Sequence, residues 1–333
     1  MVFICLTNFF NMDSRTFLLK SFKKVYSLFR RKRPGDHQYF KYVNAFDQEA
    51  NDLCYHLIQS GKPCMISKFG TIELSTLMAY KSSLQEKYSL NDWIDCIIGL
   101  RPTLWGPINI DALCSNAGFF PNDISLLRRF YDENLSAIKE IDVLGSYIYG
   151  EKMFSEELNA AKRVNLYGYY FPFLYKNPWT KLLKGKKVLV VHPFSEDIQR
   201  QYAKRELLFD DPDVLPEFTL ITYKSVQSML GIRTEYDTWF DALNKMKLDI
   251  SKIDFDIALI GCGAYGMPLA AHIKRMGKQA VHLAGCTQLL FGIIGKRWED
   301  LPLTKKYINE YWIHPSPDYI PAEARKIEGG CYW

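Results

Sequence analysis

The chain has 333 residues, of which 48% are hydrophobic and 24% charged, enough apolar side chain to fill a sizeable core and too much for a disordered protein. Residues 13–33 hold eight Lys/Arg against one Asp, a net of +7, which leaves −2 for the remainder of a chain whose total is +5. A nucleic-acid binder carries its basic stripe on the folded domain, so this distribution argues against nucleic acid as the principal partner.

The first ten residues, MVFICLTNFF, are apolar but too short to span a bilayer, and they lack the basic leader and small-residue cleavage site of a signal peptide. Met12 is a second candidate start. Residues 1–40 are expected to form a basic arm and linker ahead of one domain over 41–333, with a mostly helical part at 84–180. Within the arm, Leu18, Phe22, Val25 and Phe29 recur at helical spacing, and Lys20, Lys23, Lys24, Arg30, Arg31, Lys32 and Arg33 supply a basic flank before Pro34-Gly35. Two readings stay open. Residues 17–33 rest on an anionic membrane surface, at the inner face of the plasma membrane, or the helix packs on the body with its basic face in water. The eight cysteines, at 5, 54, 64, 96, 114, 262, 286 and 331, show neither a Cys-x-x-Cys pair nor zinc-like spacing, and read as reduced thiols of a cytoplasmic protein.

A helix is expected over 47–58, then a short buried strand over 63–69 that meets Gly70, and a second helix from Thr71. Residues 84–180 read as a helical layer carrying part of a site, broken at Arg101-Pro102, Trp105-Gly106-Pro107, Phe120-Pro121 and Asn177-Pro178-Trp179. Past Lys184-Gly185-Lys186 comes a β-branched run at 187–191, and Ser195 is expected to cap an amphipathic helix reaching Phe209. Strand-like stretches at 218–223, 257–260 and 280–283 then alternate with helical ones around 238–247 and 267–276. Such alternation predicts an α/β fold of Rossmann-like type, a mostly parallel sheet with helices on both faces.

The sharpest local feature is Gly261-Cys262-Gly263-Ala264-Tyr265-Gly266, a G-x-G-x-x-G directly after a strand and ahead of a helix. There, glycine lets the backbone approach a diphosphate, and free N–H groups at the helix start attract its charge. The plain alternative is a tight strand-to-helix turn. A dinucleotide site also needs an acid about 20 residues on to hold the ribose, but residues 280–284 read Ala-Val-His-Leu-Ala, which disfavours a dehydrogenase. A Walker-type glycine loop is absent as well, which weakens a kinase-like phosphotransferase. Glu196 and Asp197 would repel phosphate from the helix after His192-Pro193-Phe194, whereas Met267, Pro268 and Leu269 bring no acid to the helix after Gly266. His192 ends a strand and is a candidate base or phosphate ligand, or else a satisfied buried imidazole. Gly295-Lys296-Arg297-Trp298 pairs two cations with an indole, able to neutralise a diphosphate and stack a ring, or simply a solvated loop. In Lys68-Phe69-Gly70-Thr71-Ile72-Glu73 a carboxylate follows a buried strand, where it could ligate a cation, hold ribose, act as base, or merely satisfy the helix dipole.

The KFGTIE stretch resembles the Arg-Phe-Gly-Asp-Gly-Glu motif of the GT-D-fold glycosyltransferases. The similarity continues through CSNAGFF at 114–120, KKVLVVHPF, YKSVQS, GCGAYGMPLAAHIKRMGKQAVHL and TQLLFGIIGKRW, most of residues 60–300. Its C-terminal blocks resemble uncharacterised family members found with surface-polysaccharide genes more closely than they resemble the characterised core of the family. The resemblance implies transfer of a sugar from a nucleotide-diphosphate donor to a glycan or lipid-linked acceptor, with an Asp-x-Glu motif for donor and metal. Glu73 matches that Glu, Thr71 stands in the place of the Asp, and Lys68 replaces the Arg. Mn²⁺ or Mg²⁺ is then left with fewer hard oxygen ligands, so metal is bound weakly or its work is done by Lys and Arg. On this basis Glu73 and His192 are the expected catalytic residues. Lys68, Gly70, Thr71, Gly261, Gly263, Tyr265, Gly266, Lys296 and Arg297 are expected on the donor diphosphate, and Asn116, Phe119, Phe120 and Trp298 on the acceptor side. A non-catalytic polysaccharide-assembly protein is the competing reading outside enzymes.

Overall fold

A computed structural model describes residues 12–29, 42–101, 104, 108–324, 330 and 332–333. The apolar first ten residues, the basic run from Arg30 to Arg33, the linker at 34–40 and the breaks at Pro102 and Trp105-Gly106-Pro107 lie outside the described residues.

Seven strands build one all-parallel sheet: β1 (Cys64–Ser67), β2 (Val143–Ser146), β3 (Lys162–Asn165), β4 (Lys187–His192), β5 (Thr219–Lys224), β6 (Ile257–Ile260) and β7 (Gln279–His282). Their order is β3-β2-β1-β7-β6-β4-β5. Parallel neighbours cannot be joined by a hairpin, so each connection crosses a face and both faces become covered. The strand sequences answer to that: in β4, Leu189 and Val191 enter one core while Val188 and Val190 enter the other.

The principal helices are α1 (Met12–Phe29), α2 (Asp47–Gln59), α3 (Thr71–Ser83), α4 (Leu90–Ile97), α5 (Ile110–Ala117), α6 (Leu127–Ile138), α7 (Ser195–Tyr202), α8 (Trp239–Ile250) and α9 (Gly266–Arg275). On one face, α3, α5, α6, α8 and α9 bury Leu77, Leu113, Phe130, Trp239 and Leu269. On the other, α2, α7 and irregular segments bury Cys54, Ile198, Trp179 and Phe291. This is the Rossmann-like arrangement expected from the alternation of strand and helix.

Three local expectations need correction. The stretch 84–180 is not only a helical layer, because it carries β2 and β3 as well as α4, α5 and α6. Each of those strands has four residues, Val-Leu-Gly-Ser and Lys-Arg-Val-Asn, too short and too poor in β-branched side chains to stand out. The helix after β4 stops at Tyr202, and Ser195 is its first residue, behind an N-cap at Phe194; Leu208 and Phe209 leave the helix to join the core of the second face. In α1 the buried apolar side chain is Leu19, against Trp93 and Cys96 of α4, while Val25 and Phe29 of the expected stripe are exposed. Among the described residues no helix is long and apolar enough to cross a membrane.

Candidate functional site

In a parallel sheet all strands end at one edge, so the residues just past them converge there. A cavity of about 510 Å³ opens along that edge and takes wall residues from every strand end. They are Lys68 after β1, Tyr147 after β2, Tyr167 after β3, His192 to Phe194 at β4, Ser225 to Met229 after β5, Gly261 to Gly263 after β6, and His282 with Ala284 to Cys286 at β7. Glu73 in the first turn of α3, Asn116 at the end of α5, Tyr170, and Arg297, Trp298, Tyr332 and Trp333 also line it. The volume is that of a small-molecule site. After β6 the chain passes to the face of α9, while after β4 and β7 it passes to the opposite face, so a crevice flanks β6 on each side.

The glycine bend lies between those crevices, and its three glycines do different things. Gly263 has φ +58 and is exposed, with the Ala117 carbonyl oxygen 3.3 Å from where a Cβ would stand. Gly261 is buried, and a Cβ there would meet Thr287 Oγ1 at 2.6 Å and His192 Cδ2 at 2.7 Å. Gly266 does not line the cavity, because the His282 imidazole sits against its α-carbon. Tyr265 borders the cavity but is a core side chain, stacked on Trp239 at 5.1 Å and hydrogen-bonded through its hydroxyl to Ser228 at 3.1 Å. The bend is thus open at Gly263 and closed at Gly266.

At β1, Lys68 and Glu73 both face the cavity. Lys68 Nζ donates to the Tyr147 hydroxyl at 3.3 Å and stands over the Tyr147 and Tyr170 rings at 5.1 and 5.9 Å. The Tyr147 hydroxyl in turn donates to the Phe69 carbonyl at 2.8 Å and lies 3.2 Å from Thr71 Oγ1. Gly70 is required because the Glu73 carboxylate folds back over it, onto the first turn of α3. Burial raises the Glu73 carboxyl above the ordinary range, while its own backbone N–H and the Lys68 charge pull it back. Among the described wall residues Lys68 and Arg297 are the cations and Glu73 the acid.

Two histidines end neighbouring segments of the wall. His192 Nδ1 accepts the backbone N–H of Phe194 at 3.0 Å, and burial pushes the ring down to about 3, so it is neutral with its proton on Nε2. It can donate to a ligand oxygen but has no free nitrogen to act as base, which corrects half of what its place in the sequence suggested. His282 Nδ1 lies 3.0 Å from Ser67 Oγ, and its ring is likewise held down to about 3 by burial and by Lys68. Buried polar atoms without a partner are rare in folded proteins. Of the seven such atoms among the described residues, four, Ser225 Oγ, Gln227 Nε2, His282 Nε2 and Trp333 Nε1, belong to wall residues, and Glu157 Oε2, Trp239 Nε1 and Thr287 Oγ1 lie outside the wall.

Of the Lys296-Arg297 pair, the cavity receives Arg297, whose guanidinium lies over Tyr332 at 4.9 Å and Trp298 at 5.8 Å. Lys296 is exposed elsewhere, since adjacent helical positions point about 100° apart. Asn116 and Trp298 line the cavity as expected, but Phe119 and Phe120 do not. Phe119 is 1% exposed among Phe130, Trp239 and Phe240, a core role that CSNAGFF did not disclose. Tyr147, Tyr170, the Ser225 to Met229 loop, His282, Tyr332 and Trp333 were missed. Only the aromatic residues at 332–333 could have hinted at any of them.

A divalent cation fits this set poorly. One carboxylate is present, its neighbour Thr71 is engaged with Tyr147, and an ammonium stands close by. Among the described residues no group of three or more His, Cys, Asp or Glu is arranged to hold a metal ion. The chain matches no protein-family model, no curated protein and no solved structure.

Proposed function

We propose that the chain is a glycosyltransferase that moves a sugar from a nucleotide-diphosphate donor to a glycan or lipid-linked acceptor of surface polysaccharide. What supports this most is the meeting, at one edge of the sheet, of the open bend at Gly263, the cations Lys68 and Arg297, and the single acid Glu73. The diphosphate lies between the bend and the two cations, where backbone N–H groups and fixed positive charge stabilise it most as it gathers charge. The acceptor hydroxyl attacks the anomeric carbon of the donor sugar. The bond from that carbon to the diphosphate oxygen breaks, and its electron pair leaves with the nucleotide diphosphate. The proton of the acceptor passes to the Glu73 carboxylate, a stronger base for its raised pKa. His192 Nε2–H donates to a donor oxygen, and Trp298, Tyr332 and Tyr170 offer faces for a base or sugar ring. No step is routed through a metal, because the donor set around Glu73 does not suit one.

Calorimetry with uridine, guanosine, cytidine and adenine nucleotides, followed by mass-spectrometric screening of sugar donors, tests the proposal. The expected result is binding of one nucleotide diphosphate that Lys68→Met weakens. Binding of NAD would point instead to a dehydrogenase, and binding of no nucleotide to a non-catalytic assembly protein.

A further inference from the structure

α1 has two apolar faces and uses one of them. Leu19 packs on Trp93 and Cys96 of α4, and Lys23 hydrogen-bonds the Cys96 thiol, so this side is committed to the body. Phe17, Val25, Leu28 and Phe29 fall within an arc of about 120° on another side and are 71%, 52%, 75% and 80% exposed. Lys20 and Lys24, both exposed, border that arc. On α4, against which α1 packs, Leu90 and Ile94 stand one turn apart and are exposed too. Single exposed apolar side chains need no explanation, but a clustered set on one helix marks a surface that meets something else.

Charge decides what that is. The sequence runs on from α1 into Arg30, Arg31, Lys32 and Arg33, and residues 13–33 together carry +7. A second copy would bring the same +7 against this face and be repelled. An anionic bilayer surface matches both halves of the pattern, because its headgroups attract the lysines and arginines while its acyl boundary accepts the apolar arc. We propose that α1 lies in the interface of an anionic membrane, with Phe17, Val25, Leu28 and Phe29 turned into it and Lys20 and Lys24 on lipid phosphates. This attachment is independent of the chemistry assigned to the cavity.

Flotation of the full chain with vesicles tests it, using phosphatidylcholine alone and phosphatidylcholine with phosphatidylglycerol in equal parts. Binding is expected to the anionic vesicles only and to fall as salt is raised. Lys20→Glu with Lys24→Glu should lower the partition coefficient at least about fivefold for each lysine, and Leu28→Ser with Phe29→Ser should lower it about tenfold. These side chains are exposed, so circular dichroism and thermal midpoint should be unchanged in each variant. Equal binding to neutral and anionic vesicles, or binding to neither, overturns the proposal. So does a dimer in sedimentation equilibrium that Leu28→Ser with Phe29→Ser dissolves without altering flotation.

Discussion

Glu151 stands in the turn Tyr149–Phe154 that follows β2, and it is 4% exposed. Its carboxylate accepts the Ser146 hydroxyl and the backbone N–H groups of Tyr147 and Ile148, the latter two at 3.1 Å each. Burial pushes the carboxyl from the ordinary 4.5 up to about 7, against the pull of those three donors and of Arg163. The folded state therefore keeps a proton that the unfolded chain has lost. Between pH 4.5 and about 7 the native state binds more protons, so stability falls as pH rises through this window and levels off above it. At 1.36 kcal/mol per pH unit the loss comes to about 3 kcal/mol. Glu151→Gln keeps an acceptor for the two amides and gains a donor toward Ser146, with no proton to lose. Urea denaturation of both proteins at about pH 5 and about pH 8.5 should show the wild type losing about 3 kcal/mol relative to the variant. His192 and His282, held neutral by burial, are common to both proteins and cancel in that difference. Parallel pH profiles for the two proteins would refute the reasoning. The effect bears on the site because the Glu151 carboxylate holds the backbone N–H of Tyr147, whose hydroxyl touches Lys68 and Thr71.

Three other outcomes follow from the geometry. Gly266→Ala drives a methyl group into the His282 ring, which Ser67 pins from its other nitrogen, and should cost about 1–3 kcal/mol in urea denaturation; an unchanged midpoint would mean the ring moves freely. Arg297→Gln should weaken nucleotide-diphosphate binding by calorimetry about 10- to 100-fold, whereas Lys296→Gln, outside the cavity, should leave it unaltered; equal effects would misplace the diphosphate. Chelation by EDTA should not change the affinity for a nucleotide diphosphate, given one carboxylate beside an ammonium; loss of binding restored by Mn²⁺ would reinstate a metal at Glu73.

Five of the seven strands were legible because their cores announce themselves, as in Val188–Val191 and Ile257–Ile260, and because glycine or proline punctuates their ends. β2 and β3 escaped because four residues containing Gly145 and Ser146, or Lys162 and Arg163, carry no period. Within the candidate site, Lys68, Glu73, Gly263, His192, Arg297 and Trp298 were reached from local motifs, since each sits at or close to an element end or glycine turn that could be located, and Asn116 was reached only through the resemblance of CSNAGFF. Tyr147 and His282 could not be, because their facing Lys68 depends on β1 lying between β2 and β7, an order no local pattern encodes. The errors at Gly266, Lys296, Phe119 and Phe120 share one cause: a motif says which residues are near a site, while the direction each side chain takes is settled by packing.

β1 and β7 lie side by side, with Cys64 aligned on Gln279 and Ser67 touching His282 across 215 residues. That pairing joins the half of the sheet bearing Lys68 and Tyr147 to the half bearing His192 and Gly261. Loop closure over such a span must come before the contacts that reward it. A nascent chain on the ribosome therefore cannot assemble the candidate site piecemeal: the cavity waits until β7 slots beside a strand made long before and the later segments bearing Arg297 and Tyr332 have followed it.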